Sequence, residues 1–71
     1  MMNSNLLKAQ IILNGKRMVD VADKLNISKS ALYRKMKGES EFTRNEIEQI
    51  IKFLNLNINK AVEIFFGEKV A

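Results

Sequence analysis

A chain of 71 residues with a formal net charge of +4, 46% hydrophobic and 28% charged residues, and neither cysteine nor histidine is long enough for one small packed domain and too short for two. Those proportions are those of a soluble globular protein and argue against wholesale disorder. The lack of Cys and His removes disulfides, thiolate nucleophiles, zinc-finger ligands and imidazole acid–base chemistry together, and fits a reducing, cytoplasmic setting.

In chain order, Leu6, Leu7, Ala9, Ile11, Ile12 and Leu13, interrupted by Lys8 and Gln10, predict a core helix of about ten residues with Ser4 as its N-cap and Gly15 as its stop. The stretch is too short to span a bilayer, and it has neither a positive leader nor a small-residue cleavage site, so the expectation is an intracellular protein with no membrane partner. A second helix begins near Arg17 or Met18 and runs to Leu25, with Met18, Val21, Ala22 and Leu25 on one side and Asp20, Asp23 and Lys24 on the other. Asp20 suits the positive end of that helix's dipole.

Asn26 follows, one of the few side chains that tolerates left-handed backbone and so turns the chain at small cost. Ser28 is then the N-cap of a third helix, Lys29 to Lys37, with Ala31, Leu32 and Met36 turned inward, Lys29, Ser30, Tyr33, Arg34 and Lys37 turned outward, and Gly38 as its stop. Two short helices joined by a turn of about four residues make a helix-turn-helix, here spanning about residues 18–38, the unit that lays its second helix in a DNA major groove. Between Lys16 and Gly38 seven basic residues face only Asp20 and Asp23, whereas residues 39–71 carry four basic and six acidic ones. The positive field therefore belongs to the motif and favours a polyanionic partner there.

After a loop from Glu39 to Phe42, Thr43 and Glu46 have capping-box spacing and Phe42 and Ile47 the spacing of a hydrophobic staple. They start a fourth helix whose buried stripe is Ile47, Ile50, Ile51 and Leu54, with Arg44, Glu48 and Lys52 facing water and Asn55 at its end. Asn57 caps a fifth helix, in which Ala61, Val62, Ile64, Phe65 and Phe66 give more apolar surface than one core face needs, and Gly67 closes it. No proline, linker, low-complexity run or repeat interrupts the series, so the expectation is one all-α domain of five helices covering residues 1–71.

With those elements placed, the sequence resembles the lambda-repressor-like family of helix-turn-helix regulators, the Cro and CI-type (XRE) proteins, over nearly its whole length. The residues that carry the resemblance are Val21-Ala22 at the helix crossing, Leu25-Asn26, Ile27-Ser28, Leu32, Gly38 and the segment from Phe42 to Leu56. The short chain and its Ile64-Phe65-Phe66 ending are most similar to the small Cro-type regulators of phages and integrated elements in Gram-positive bacteria. Three positions depart from the pattern: Arg17-Met18 stands where the family often has a phosphate-holding Thr-Gln, Asn26 stands in place of Gly, and Lys35 stands where the third helix usually buries an aliphatic. Met36 then supplies that packing, with a slight rotation of the helix.

The resemblance implies that base edges are read by Ser28, Lys29, Ser30, Tyr33 and Arg34, led by Lys29, Ser30 and Arg34, since Arg and Lys donate to guanine O6 and N7. Arg17, Lys37, Ser40, Thr43 and Arg44 are the matching backbone anchors, because half or more of protein–DNA hydrogen bonds go to phosphate and sugar. Glu39 and Glu41 oppose phosphate at that end. No catalytic arrangement exists: Ser28 and Ser30 have no histidine base, Asp20 and Asp23 lack a third metal ligand, and there is no glycine-rich phosphate loop. The expectation is a non-enzyme without metal, cofactor or small-molecule substrate, a Cro-like repressor bound to a double-stranded operator. One domain has a small interface, so a homodimer on a pseudo-palindrome is expected, joined through Val62, Phe65 and Phe66, residues that serve equally well to finish the core. The alternative is a protein-binding module, an antirepressor or adaptor without specific DNA binding. RNA is disfavoured because no aromatic stacking platform is present.

Overall fold

Short polar side chains start the helices and left-handed residues end them. The structure, a computed structural model, describes residues 2–67, and among these it has five helices and no strand: α1 (Ser4–Leu13), α2 (Met18–Leu25), α3 (Lys29–Lys37), α4 (Arg44–Phe53) and α5 (Ile58–Phe66). Asn3, Ser28, Thr43 and Asn57 each accept a hydrogen bond from the amide three residues on, at 3.0, 3.0, 3.1 and 2.8 Å. Ser4 is thus not the cap of α1 but its first residue. The Asn3 N–H donates to the Ile64 carbonyl at 2.6 Å, which holds residue 3 in extended backbone outside the helix and leaves its side chain to cap it.

The α2 helix starts differently, because Arg17 has no acceptor to offer. Instead the Asp20 carboxylate reaches back, accepting from the Arg17 backbone N–H at 2.7 Å and from its guanidinium at 3.2 and 3.3 Å. At the other ends, Asn26 and Asn55 adopt φ of 57° and 51°, where a residue without Gly's freedom or Asn's local polar side chain would be strained. Around Asn26 the chain closes in a Schellman pair, Asn26 N–H to the Asp23 carbonyl at 3.1 Å and Ile27 N–H to the Ala22 carbonyl at 3.0 Å. The same closure follows α1, α3 and α4, so each of these turns is held by hydrogen bonds local in the chain.

One buried cluster joins all five helices: Leu7 and Ile11, Val21, Ala22 and Leu25, Leu32 and Met36, Ile50 and Leu54, and Ile64. The α2 helix lies at its centre, packed most closely on α4 and also against α3 and α1, while α5 lies along α1. Most expected core positions are buried, with Ala31, Ile47 and Ile51 half-buried at its edge. The apolar stretch of α1 is the exception. Leu7 and Ile11, one turn apart on one side, are buried in the core and Leu6 packs half-buried against it, whereas Ile12 and Leu13 are 73% and 76% exposed. No helix among the described residues is long and apolar enough to cross a membrane.

Candidate nucleic-acid interface

The left-handed Asn26 and the Ser28 cap orient α3 so that Leu32 and Met36, four residues apart, point into the core. Helical geometry then places Ser30, Tyr33, Arg34 and Lys37 together on the opposite side, with Lys29 beside them. Lys29, Ser30, Arg34 and Lys37 are exposed. Tyr33 is half-buried, with the Lys29 ammonium 6.0 Å from its ring centroid. The Ser28 oxygen is committed to the Ala31 amide, which leaves its own O–H as a donor. Lys29, Arg34 and Lys37 have no ion-pair partner among the described residues, so a ligand meets three uncompensated cations on one short helix. Four of the five expected base readers, Ser28, Lys29, Ser30 and Arg34, are exposed, and Tyr33 is half-buried between them.

The expected backbone anchors are more varied. Lys37 and Ser40 are exposed at the end of α3 and in the following loop. Arg17 is also exposed, but its guanidinium already faces Asp20 at 3.2 Å, and the pair holds the Asp20 carboxyl below its ordinary range, chiefly through the side-chain hydrogen bond from Arg17. Such an exposed pair adds little stability. Arg44 makes a looser contact with Glu48 at 3.5 Å, both side chains mostly in solvent. Thr43 is exposed and caps α4 as Ser28 caps α3: its hydroxyl oxygen accepts from the Glu46 amide at 3.1 Å, which leaves its O–H as a donor, and its own amide donates to Glu46 Oε1 at 2.8 Å. The first turn of α4 is therefore left with the Arg44 and Asn45 amides as its free donors among the described residues.

Two clusters escape sequence reasoning. Lys35 Nζ lies 2.9 Å from Glu46 Oε1 and donates to the Glu41 carbonyl at 3.1 Å, its side chain 14% and that of Glu46 12% exposed. This explains how a lysine occupies a position that favours an aliphatic: its stem is covered, its ammonium is satisfied, and Met36, 4% exposed, does the packing. Lys16 and Lys24 point their ammonium groups at the Phe53 ring, 4.9 and 5.9 Å from its centroid, beside Asp20 and Asp23 in a shallow pocket. The lysines belong to the basic run, but nothing in the sequence ties them to a ring two helices further along the chain.

Burial pushes the Glu46 carboxyl up, while the Thr43 amide and the Lys35 ammonium hold it down and prevail, so it lies below its ordinary value. The folded chain thus binds this proton more weakly than the unfolded chain, whose Glu titrates near about 4.3. Glu46's contribution to stability is complete above about pH 5 and is lost as the pH falls through the unfolded and then the folded pKa. Urea midpoints measured from pH 6 to pH 3 are expected to fall more steeply for the native chain than for Glu46→Gln, and parallel curves would refute this assignment.

The three α5 residues divide between two roles. Phe65 is half-buried and packs its ring edge-on against Phe42, centroids 6.0 Å apart at 86°, so it finishes the core. Val62 is half-buried, and Phe66 is 62% exposed. Phe65 and Phe66 line one wall of a groove of roughly 560 Å³ with Met2, Phe42 and Ile47, rimmed by Lys35 and Glu41. Among the described residues no group of three His, Cys, Asp or Glu could hold a metal ion.

No curated protein and no solved structure matches the chain significantly. The family model described as the BetR domain matches residues 3–66, from the Asn3 cap to the last residue of α5, and the chain therefore belongs to the BetR domain family.

Proposed function

We propose that this protein is a sequence-specific DNA-binding regulator, a Cro-like repressor of the lambda-repressor-like kind, that lays α3 in the major groove of its operator and acts without catalysing a reaction. The observation that carries this reading is the outward face of α3: Ser28, Lys29, Ser30, Tyr33, Arg34 and Lys37 together at the surface, with Lys29, Arg34 and Lys37 uncompensated among the described residues. In this reading Arg34 and Lys29 donate to guanine edges, while Arg17, Lys37, Ser40, Arg44 and the free amides of α4 hold phosphates. Thr43 keeps the start of α4 in place and offers its free O–H to the same phosphates.

Two copies acting together supply the affinity that one small interface lacks. The exposed Phe66, beside Val62 and the groove under Phe65, is the surface through which they meet. That same groove favours a second reading, a protein-binding module without specific DNA contacts.

Selection of bound duplexes from a random DNA pool separates the two. A palindromic consensus, with binding that weakens with salt at a log–log slope of about −0.9 per phosphate neutralised, is the expected result. No enrichment, and no gel retardation at low salt, would replace the regulator by the protein-binding module.

A further inference from the structure

Lys35 sits on a side of α3 apart from both the exposed Ser30, Arg34 and Lys37 and the buried Leu32 and Met36. Its ammonium bonds Glu46 Oε1 at 2.9 Å and the Glu41 carbonyl at 3.1 Å, and lies 5.9 Å from the Phe42 ring centroid. The same Glu46 oxygen accepts the Thr43 amide that opens α4 at 2.8 Å. One carboxylate oxygen is thus shared between the end of α3 and the start of α4. The α3 helix packs its backbone chiefly on α2, and its two buried side chains, Leu32 and Met36, permit some roll about the helix axis, because apolar contacts are not directional. A charged hydrogen bond with two fixed partners has a preferred direction and resists that roll. Arg34 and Lys37 flank Lys35 on the same turn, so the roll that the pair restrains is the one that would carry the base-reading face sideways.

We infer that the Lys35–Glu46 ion pair is a positioning device: it fixes the roll of α3 against α4 and so sets which base edges Arg34 and its neighbours reach, without itself touching DNA. This rests on the DNA-binding reading for its consequence but not for its geometry. Replacing both charges, Lys35→Met with Glu46→Gln, removes the restraint without leaving an unpaired buried charge, and the Gln oxygen can still accept the Thr43 amide.

The experiment compares the native chain, this double variant and Lys35→Arg in two ways. Residual dipolar couplings of the backbone amides report the orientation of α3 relative to α4 with no DNA present. Affinity is measured for the duplex that the native chain enriches from a random pool and for a scrambled duplex, well below each protein's unfolding temperature. The double variant is expected to reorient α3 and to lose about tenfold of its preference for the selected duplex, less than a good bidentate base contact can supply. Its binding to the scrambled duplex and its salt slope stay those of the native chain, because no phosphate contact is lost. Lys35→Arg, which keeps the pair, is expected to retain the preference.

A change in thermal midpoint alone, with couplings and preference intact, would reduce the pair to a structural role and overturn the inference. A salt slope reduced by about one would instead make Lys35 a phosphate contact and overturn it equally. If the native chain discriminates no duplex, the DNA reading fails, and the couplings alone decide whether the pair orients α3.

Discussion

Leu32→Ala is expected to lower the thermal midpoint by about 15 °C, the largest effect of any single truncation in α3. Leu32 is fully buried in the cluster that joins all five helices, and removing a leucine of that kind costs about 3 kcal/mol through lost transfer energy and the cavity left behind. A domain of this size has about 4–10 kcal/mol to lose and moves by roughly 5 °C per kcal/mol, so the variant approaches unfolding at physiological temperature. Thermal unfolding followed by circular dichroism gives the shift. The control is Ile12→Ala, which removes a side chain 73% exposed and is expected to change stability by no more than about 0.5 kcal/mol. Equal losses in the two variants would contradict the placement of the core.

Arg34→Ala is expected to cost about 1–3 kcal/mol of affinity for the selected duplex, roughly five- to 150-fold, and to relax the preference at one base position. Its guanidinium is exposed and free of any ion pair among the described residues, so its removal leaves the fold unchanged. Lys37→Ala, one turn further on at the C-terminal end of α3, is expected to weaken selected and scrambled duplexes alike and to reduce the salt slope by about one. Fluorescence anisotropy titrations at several salt concentrations measure both. The two variants having the same effect on both duplexes would remove the distinction between base reader and backbone anchor, and with it the proposed docking of α3.

Much of this arrangement was legible in the sequence because it depends on interactions within four or five residues. Ser28, Thr43 and Asn57 cap the helices they were expected to cap, and Asn26 takes the left-handed conformation that turns α2 into α3. The stripe Leu32–Met36 is inward, and that alone puts Ser30, Tyr33, Arg34 and Lys37 on the other side of the helix. The N-terminal cap was not legible: it was expected at Ser4 and is Asn3, because the bond from the Asn3 amide to Ile64, more than sixty residues away, holds residue 3 outside the helix. Similarly, α1 has apolar residues on every side, so its periodicity does not name a face. Only the position of α2 and α5 buries Leu7 and Ile11 and leaves Ile12 and Leu13 outside.

By itself, the sequence determined the starts of α3, α4 and α5, the left-handed turn between α2 and α3 and the outward face of α3, since capping, left-handed turns and helical periodicity are set by neighbours along the chain. The tertiary structure decided what crosses between helices: Phe65 against Phe42, Phe66 left outside, and Lys35 drawn to the Glu46 that already caps α4. Those contacts require particular distances and angles between separate helices, and no spacing along the chain encodes them.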